Sequence, residues 1–214
     1  MGTIDEVDQA MSRYARGDET AFDVVYETVA PRLERYLARR VPARSAVEDI
    51  VQQTFLQMHA ARATFISGAA VMPWAYAIAR RLMIDAGRAS RREQPAGFEE
   101  DLPPPVPASV ISYEGSSPSS EQSMQAEETH ALLAASYERL SLPQREAFDL
   151  VKIEGLPYAE AAAVLGTTIT GVKLRVHRVH LALRRALAGE PAPRTPARNA
   201  ARGTTGRLRT VEGS

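Results

Sequence analysis

A stretch rich in proline, serine and acidic residues divides the chain into two halves. Between Glu93 and Ser123 the prolines stand at positions 95, 103, 104, 105, 107 and 118, interspersed with serines. The apolar residues of this stretch do not recur with the spacing of a packed helix or strand. The stretch after Glu93 contains acidic residues but no Lys or Arg. Residues 93–123 are therefore predicted to be a flexible acidic linker, with folded structure on either side.

The half before the linker, residues 1–92, is predicted to be a helical domain. Apolar residues between Phe22 and Leu37 recur three and four positions apart, which is the spacing of one helix face. Ser45 with Glu48 is a capping-box pattern and predicts the start of a further helix. No segment alternates between apolar and polar residues as a half-buried strand would.

The half after the linker, residues 124–188, also has helical spacing. Pro143 and Pro157 are each placed to open a helix, and Gly166 allows the left-handed turn that a short connection between helices requires. Residues 189–214 are dominated by Pro, Arg, Gly and Thr and are predicted to be disordered. The predicted fold class is all-α, with two small, separately folded helical domains joined by the linker.

The stretch that follows Leu156 has the pattern of a helix-turn-helix. In its second helix, Val172 and Val176 form an apolar back, and the opposite face is cationic. Such a helix fits the major groove of DNA, where Arg binds phosphate or reads guanine and Thr bonds to either. A plain helical hairpin with a solvated basic face is the alternative interpretation. The residues predicted to contact DNA are Thr170, Lys173, Leu174, Arg175, His177 and Arg178.

A second basic cluster lies on the helix that Pro73 is predicted to open. Trp74, Ile78 and Leu82 recur on one side, so Trp74 is expected to pack in the core rather than stack on a base. Arginines collect toward the C-terminal half, where they would also complement the helix dipole, so a solvated helix end is the alternative to DNA binding. In a chain of 26 basic and 26 acidic residues, two compact basic segments favour binding to a polyanion. This second cluster consists of Arg80, Arg81, Arg88, Arg91 and Arg92.

Composition removes several classes of function. The chain contains no Cys, which excludes a disulfide, a thiol nucleophile and a Cys-ligated zinc site. Its four His lack the spacing of a metal site, and no phosphate-binding glycine loop or nucleophile elbow is present. No apolar run approaches the roughly 18–20 residues that a membrane span needs. We therefore expect a cytoplasmic protein that has no membrane segment, is not an enzyme and uses no catalytic residues, metal or cofactor.

Three motifs follow one another in a recognisable order. VEDIVQQTFL runs from Val47 to Leu56, WAYAIARR from Trp74 to Arg81, and LPQREAF from Leu142 to Phe148, ahead of the helix-turn-helix. In this order they resemble the core-polymerase-binding helix, the −10-reading helix and the −35-binding domain of bacterial sigma factors. The resemblance is to the extracytoplasmic-function (ECF) group of these promoter-recognition subunits of RNA polymerase. It covers about residues 18–92 and 124–188.

The resemblance implies a function, a set of partners and a division of labour. The chain would bind core RNA polymerase and direct promoter-specific, DNA-templated transcription initiation. The first domain (1–92) would hold the −10 element through its arginines, and the second (124–188) would bind the −35 element. The beta-prime clamp and the beta flap of core polymerase are the implied docking sites, and promoter DNA is the other partner. Family members are often held inactive by a cognate anti-sigma protein, which is a further candidate partner. The residues implied to bind the clamp are Glu48, Asp49, Gln52 and Gln53.

Two other functions stay open at this point. A LuxR-like helix-turn-helix regulator would bind duplex DNA as a dimer without polymerase, but it would leave the first two motifs without a role. A helical protein–protein adaptor would use its Arg faces on acidic partners and would bind no DNA. Salt-sensitive promoter binding that requires core polymerase separates the three.

Overall fold

Each element in the described part of the chain is helical, as the periodicity predicts. The computed structural model describes residues 4–93 and 120–189, so all of the predicted tail after residue 189 and all but the ends of the predicted linker lie outside the described residues. The helix that follows the linker starts at residue 120, earlier than the predicted residue 124. The helices are α1 (Ile4–Ala15), α2 (Ala21–Ala38), α3 (Arg44–Ala61), a 3-10 turn (Arg62–Thr64), α4 (Val71–Glu93), α5 (Ser120–Glu138), α6 (Leu142–Phe148), a π-helical turn (Asp149–Ile153), α7 (Tyr158–Leu165) and α8 (Ile169–Leu187).

The first domain is built from α1 to α4. α2 packs against α1, α3 and α4, so it occupies the centre of this domain. Its side chains Leu33 and Tyr36 are fully buried, together with Met58 from α3 and Tyr76 from α4. Burial of each large apolar side chain contributes about 1.5–3 kcal/mol, which outweighs the helix propensity of any single residue.

Two helices begin at residues other than the predicted ones. Ala43 stands at the N-cap of α3, so Ser45 lies inside the helix, and Glu48 accepts a hydrogen bond from Arg44 Nε at 2.9 Å. α4 begins at Val71 rather than at Pro73. A proline within the first turn is tolerated there because the first N–H groups of a helix have no intrahelical acceptor.

The second domain combines α5, α6, α7 and α8. α6 opens with a true capping box between Ser141 and Gln144, and Pro143 lies in its first turn, as predicted. The chain then continues through the π-helical turn to α7. Gly166 ends α7 in the left-handed conformation with φ 60° and ψ 43°, which turns the chain directly into α8. The predicted helix-turn-helix is therefore present.

The two domains pack against each other. α4 of the first domain contacts α7 of the second, and buried apolar side chains from both form one continuous cluster. This interface was not part of the sequence-based expectation of two separately folded domains. In addition to this apolar contact, the interface contains ion pairs between residues far apart in the chain, and such pairs have no local sequence pattern.

Candidate nucleic-acid and polymerase interfaces

The recognition helix α8 has a buried back and an exposed front. Val172, Val176 and Val179 are almost completely buried against the rest of the second domain. The Thr168 hydroxyl caps the helix by accepting the Gly171 N–H at 3.0 Å. Of the residues predicted to contact DNA, Arg175 is half-buried, and the exposed ones are Thr170, Lys173, Leu174, His177 and Arg178.

The basic surface of α8 extends beyond the predicted residues. His180 packs edge-on against Phe148, with ring centroids 5.6 Å apart. Burial and the neighbouring charges, first that of Lys152 and then that of Arg184, lower the pKa of His180. Arg184 could have been found from its position one helical turn after His180. Lys152 comes from the π-helical turn, and its proximity depends on the tertiary fold.

The arginines of α4 have different surroundings. Arg81 is exposed and donates to Gln57 Oε1, and Arg88 is exposed with Asp85 3.7 Å away. Arg80 instead points into the domain interface. Arg91 and Arg92 lie in the last turn of α4, and their side chains are outside the described residues.

Trp74 packs toward the core of the first domain, as its register on α4 predicts. The side chain is half-buried, and its ring lies 5.3 Å from the ring of Phe65. The apolar segment that precedes α4 therefore supplies a packing partner for this tryptophan. In this arrangement a base could not stack on the face that Phe65 covers.

The face of α3 predicted to bind polymerase is exposed. Val51 and Phe55 turn inward, and the polar side carries Glu48, Asp49, Gln52 and Gln53, all four exposed. Two apolar side chains not predicted to take part are also exposed on this domain. Leu56 is 59% exposed, and Tyr26 is 47% exposed with its ring 4.8 Å from that of Phe55. Leu56 lies one helical turn after Gln52 and adds apolar area to the polar face of α3, whereas Tyr26 lies on α2 beside Phe55.

A cluster of buried carboxylates joins the two domains. Glu146 receives two hydrogen bonds from Arg80, Nε to Oε1 at 2.8 Å and Nη2 to Oε2 at 3.2 Å. Asp149 is paired with Arg40, two residues after the end of α2, and also accepts a hydrogen bond from Tyr137. The side chains of Glu146 and Asp149 are each 1% exposed.

Glu154 is the third carboxylate of this cluster, and its partners come from α2, from the residue that caps the end of α2, and from α4. Arg35 Nη2 lies 2.8 Å from Oε2, Arg39 Nη1 lies 3.3 Å from Oε1, and the Tyr76 hydroxyl donates to Oε2 at 2.7 Å. Burial acts against ionisation, but the hydrogen bonds from Arg35 and Tyr76 prevail and hold the pKa of Glu154 below its ordinary value. Burial and the nearby Glu154 carboxylate raise the pKa of Tyr76, which keeps it a neutral donor.

Comparison with known proteins settles the family. Residues 25–93 match Sigma-70 region 2, and residues 131–187 match Sigma-70, region 4. The RNA polymerase sigma factor CarQ of Myxococcus xanthus is 32% identical over 83% of this chain and 95% of its own length. The ECF RNA polymerase sigma factor SigF of Caulobacter vibrioides is 32% identical over 81% of this chain and 89% of its own length. The chain belongs to the ECF sigma factors. It binds core RNA polymerase and directs promoter-specific transcription.

Solved structures support the same fold for this ECF sigma factor. The sigma factor RpoE of Bartonella quintana, solved with the anti-sigma factor NepR, is 25% identical with a TM-score of 0.57, over 78% of this chain and 96% of that one. CnrH, solved with the cytosolic domain of CnrY, has a TM-score of 0.54 at 22% identity, over 88% of this chain and all of that one, and shows the fold alone. Membership in the family accounts for both halves of the chain, whereas a LuxR-like regulator would leave the region 2 match unexplained.

Two further findings concern only residues 4–93 and 120–189 of this sigma factor. None of the helices there is long and apolar enough to cross a membrane. No group of three or more His, Asp or Glu side chains in that part is placed to hold a metal ion.

Proposed function

We propose that this ECF sigma factor divides its contacts among three helices. α8 binds the −35 element through Thr170, Lys173, Leu174, Arg175, His177 and Arg178. α4 holds the −10 element through Arg80, Arg81, Arg88, Arg91 and Arg92. The polar face of α3, with Glu48, Asp49, Gln52 and Gln53, binds the beta-prime clamp, and the second domain docks on the beta flap.

The architecture of α8 is the observation that carries this proposal. Its valine back is buried, its start is fixed by Thr168 and Gly166, and its cationic front is exposed. A helix held this rigidly presents Arg175 and Arg178 in a defined orientation, which base recognition requires. Leu174, at 48% exposed, is available for apolar contact with a thymine methyl group.

Run-off transcription with purified core polymerase tests the function as a whole. The chain and core are mixed on genomic fragments, and the start sites are mapped. We expect discrete start sites that appear only when both proteins are present and that share sequence elements upstream. Binding to duplex DNA at the same sites without core, as a dimer, would instead support a regulator.

Asp49→Lys tests the face of α3. Asp49 is exposed, so the reversal leaves the core of the first domain intact while it places a cation at the proposed clamp contact. We expect weaker association with core polymerase and transcription that recovers when the sigma factor is in excess. Glu34→Lys makes the same change at an exposed site on α2, outside the proposed surfaces, and should leave core binding unchanged.

Arg175→Ala tests the recognition helix. If Arg175 reads a base, its loss should cost about 1–3 kcal/mol and relax specificity at one position of the −35 element. Arg16→Ala is the matched control because Arg16 is exposed at the end of α1, outside the proposed surfaces. Normal transcription by both Arg175→Ala and Asp49→Lys would mean that these surfaces are assigned incorrectly.

The proposal extends to the setting in which the protein acts. It works in the cytoplasm with core polymerase, and it needs neither a catalytic site nor a cofactor of its own. We also propose an anti-sigma partner, which is supported by the pairing of RpoE with NepR in the solved complex. A partner purified with the sigma factor should inhibit run-off transcription when it is added before core polymerase and not after initiation.

A further inference from the structure

A line of cations continues along α8 past the residues assigned to the −35 element. Arg184 follows His177 by seven residues and Lys173 by eleven, and at 3.6 residues per turn these spacings place all three on one side of the helix. All three side chains are exposed. At a rise of 1.5 Å per residue, the line from Lys173 to Arg184 is about 17 Å long. The cationic front of α8 is therefore longer than the part that the proposed base contacts use.

A lysine from outside α8 stands beside this line. The ring of Phe148, at the end of α6, lies 5.6 Å from the ring of His180 on α8. Lys152 follows Phe148 by four residues in the π-helical turn, and Arg184 follows His180 by four residues on α8. Each cation is thus about one helical turn away from the same ring contact. Burial, and after it the charges of Lys152 and Arg184, lower the pKa of His180, which agrees with this placement.

Lys152 is positioned by the backbone of the π-helical turn. The Glu154 N–H donates to the Asp149 carbonyl at 2.8 Å, and the Leu156 N–H donates to the Leu150 carbonyl at 2.8 Å. Leu150 is fully buried, whereas Lys152 is exposed. The turn therefore fixes where the lysine leaves the domain, and its ammonium group is carried on a flexible stem. Such a group binds phosphate as a point charge, without the fixed fork of donors with which arginine recognises a base.

In the part of the chain that the structure describes, Lys152 and Arg184 stand without an ion pair. No carboxylate of residues 4–93 and 120–189 lies within 4.0 Å of either cation. Asp149 and Glu154, the acids nearest to Lys152 in the sequence, are buried and paired with arginines of the first domain. A polyanion that covers Lys152 and Arg184 would neutralise them and release its own counterions.

The dimensions of the major groove decide what these cations meet. The groove is about 12 Å wide and a helix with its side chains is about 10–12 Å across, so a docked helix fills the groove from wall to wall. The front of α8 then faces the base edges, and its two sides face the phosphate strands. His180 lies on one such side, half-buried between the valine back and the cationic front, with Lys152 beside it. Recognition helices contact bases through their N-terminal residues, which leaves Arg184, in the last turn, to the backbone.

We propose that Lys152 and Arg184 form a phosphate grip, which holds the sugar–phosphate backbone of the duplex beside the −35 element without reading its sequence. Tertiary structure assembles the grip, because the π-helical turn supplies one cation and the last turn of α8 supplies the other. The place of the grip on the duplex rests on the proposed −35 surface of α8. Its phosphate contacts add affinity, and dependence of that affinity on salt, to the proposed base contacts.

The salt dependence of promoter binding tests the grip in the complete complex. The full chain with core polymerase is titrated against a promoter fragment mapped by run-off transcription, at salt concentrations from about 50 to about 200 mM. Each phosphate contact contributes about −0.9 to the slope of log K against log salt. Lys152→Gln should therefore make the slope shallower by about 0.9, so that wild type loses about 3.5-fold more affinity than the variant across this range. Lys152→Gln combined with Arg184→Gln should double the effect on the slope. Discrimination against a −35 element with one altered base should stay at the wild-type level.

Two variants serve as controls. Lys152→Arg keeps the charge and should keep the wild-type slope, so that the effect of Lys152→Gln is assigned to the lost charge. Arg16→Gln removes an exposed charge at the end of α1, outside the proposed surfaces, and should leave the slope unchanged. Circular dichroism confirms that each variant is folded.

Uncharged phosphate groups locate the contact on the duplex. Methylphosphonates placed singly in the backbone on either side of the −35 element each remove one negative charge. We expect positions at which this change weakens binding by wild type about as much as Lys152→Gln does. At the same positions, the Lys152→Gln variant should lose little further affinity, because a lysine and the phosphate that it contacts are not independent sites.

An unchanged slope for Lys152→Gln, or an equal change for Arg16→Gln, would overturn the grip. A change in sequence preference would also overturn it, because Lys152 would then read a base. Weaker association of Lys152→Gln with core polymerase in the absence of DNA would assign this surface to the polymerase instead. If Arg175→Ala relaxes −35 specificity while Lys152→Gln keeps the wild-type slope, the grip alone is wrong. If Lys152→Gln changes the slope while Arg175→Ala leaves specificity intact, the grip stands and the proposed base contact of Arg175 is wrong.

Discussion

Replacement of Gly166 by alanine should lower the free energy of unfolding, whereas replacement of Gly87 by alanine should raise it. Gly166 ends α7 with φ 60° and ψ 43°, a left-handed conformation in which its N–H bonds to the carbonyls of Ala162 and Ala163. A Cβ added at Gly166 meets no atom within 4 Å. The effect of Gly166→Ala is therefore a backbone effect, uncomplicated by any clash with the helices it connects.

The magnitude follows from two opposing terms. A left-handed conformation costs an L-residue about 1–2 kcal/mol, and alanine recovers about 0.4–1 kcal/mol because it restricts the unfolded chain. Gly166→Ala should therefore destabilise the protein by about 1 kcal/mol. In a chain of this size that corresponds to a fall in Tm of about 2–4 °C.

Gly87→Ala is the matched control. Gly87 lies inside α4, is exposed, and has no atom within 4 Å of an added Cβ. Alanine in a helix interior is favoured over glycine by about 0.5–1 kcal/mol, so this variant should be more stable than wild type. Thermal unfolding followed by circular dichroism, together with urea titration at 25 °C, measures the stability of both variants against wild type. A fall in stability for both variants, or no change for Gly166→Ala, would refute the role of the left-handed turn.

Two further outcomes concern the cap of α8 and the buried carboxylate of Glu154. Thr168→Ala should cost about 1 kcal/mol and weaken −35 binding, whereas Thr168→Ser keeps the oxygen that accepts the Gly171 N–H and should cost less. The folded pKa of Glu154 lies below its ordinary value of 4.5, so its stabilising effect is complete above that pH and is lost as the pH falls through the folded pKa. The difference in unfolding free energy between wild type and Glu154→Gln should therefore be full at pH 7 and shrink below about pH 4.5; a difference that persists unchanged in acid would contradict it.

The local features of the fold were predictable because they depend on neighbouring residues. The spacing of apolar residues predicted helices on both sides of the linker, and Gly166 predicted the turn between α7 and α8. The Ser45 pattern failed as a cap because Ala43 takes the N-cap position and Arg44 binds Glu48. Helix ends depend on which of several adjacent side chains reaches a backbone group first, and sequence patterns do not resolve that competition.

The candidate DNA and polymerase surfaces follow from the sequence for the same reason. Helical periodicity assigns Val172 and Val176 to the buried side of α8, and this leaves Lys173 and Arg178 exposed. The family resemblance then supplied a role for each exposed face. The periodicity of α8 could not have indicated a role for Lys152, because this residue lies in the π-helical turn. Its charge acts on His180 only through the tertiary fold.

By itself, the sequence determined the helices, their buried and exposed faces, and the family, because each is encoded by residues within a few turns of one another. Only the tertiary structure decided how the two domains meet. Arg80 pairs with Glu146 across 66 positions, and Arg35 pairs with Glu154 across 119. Charges so distant in the chain interact only after burial has brought them together, because water weakens any attraction between them while they are apart.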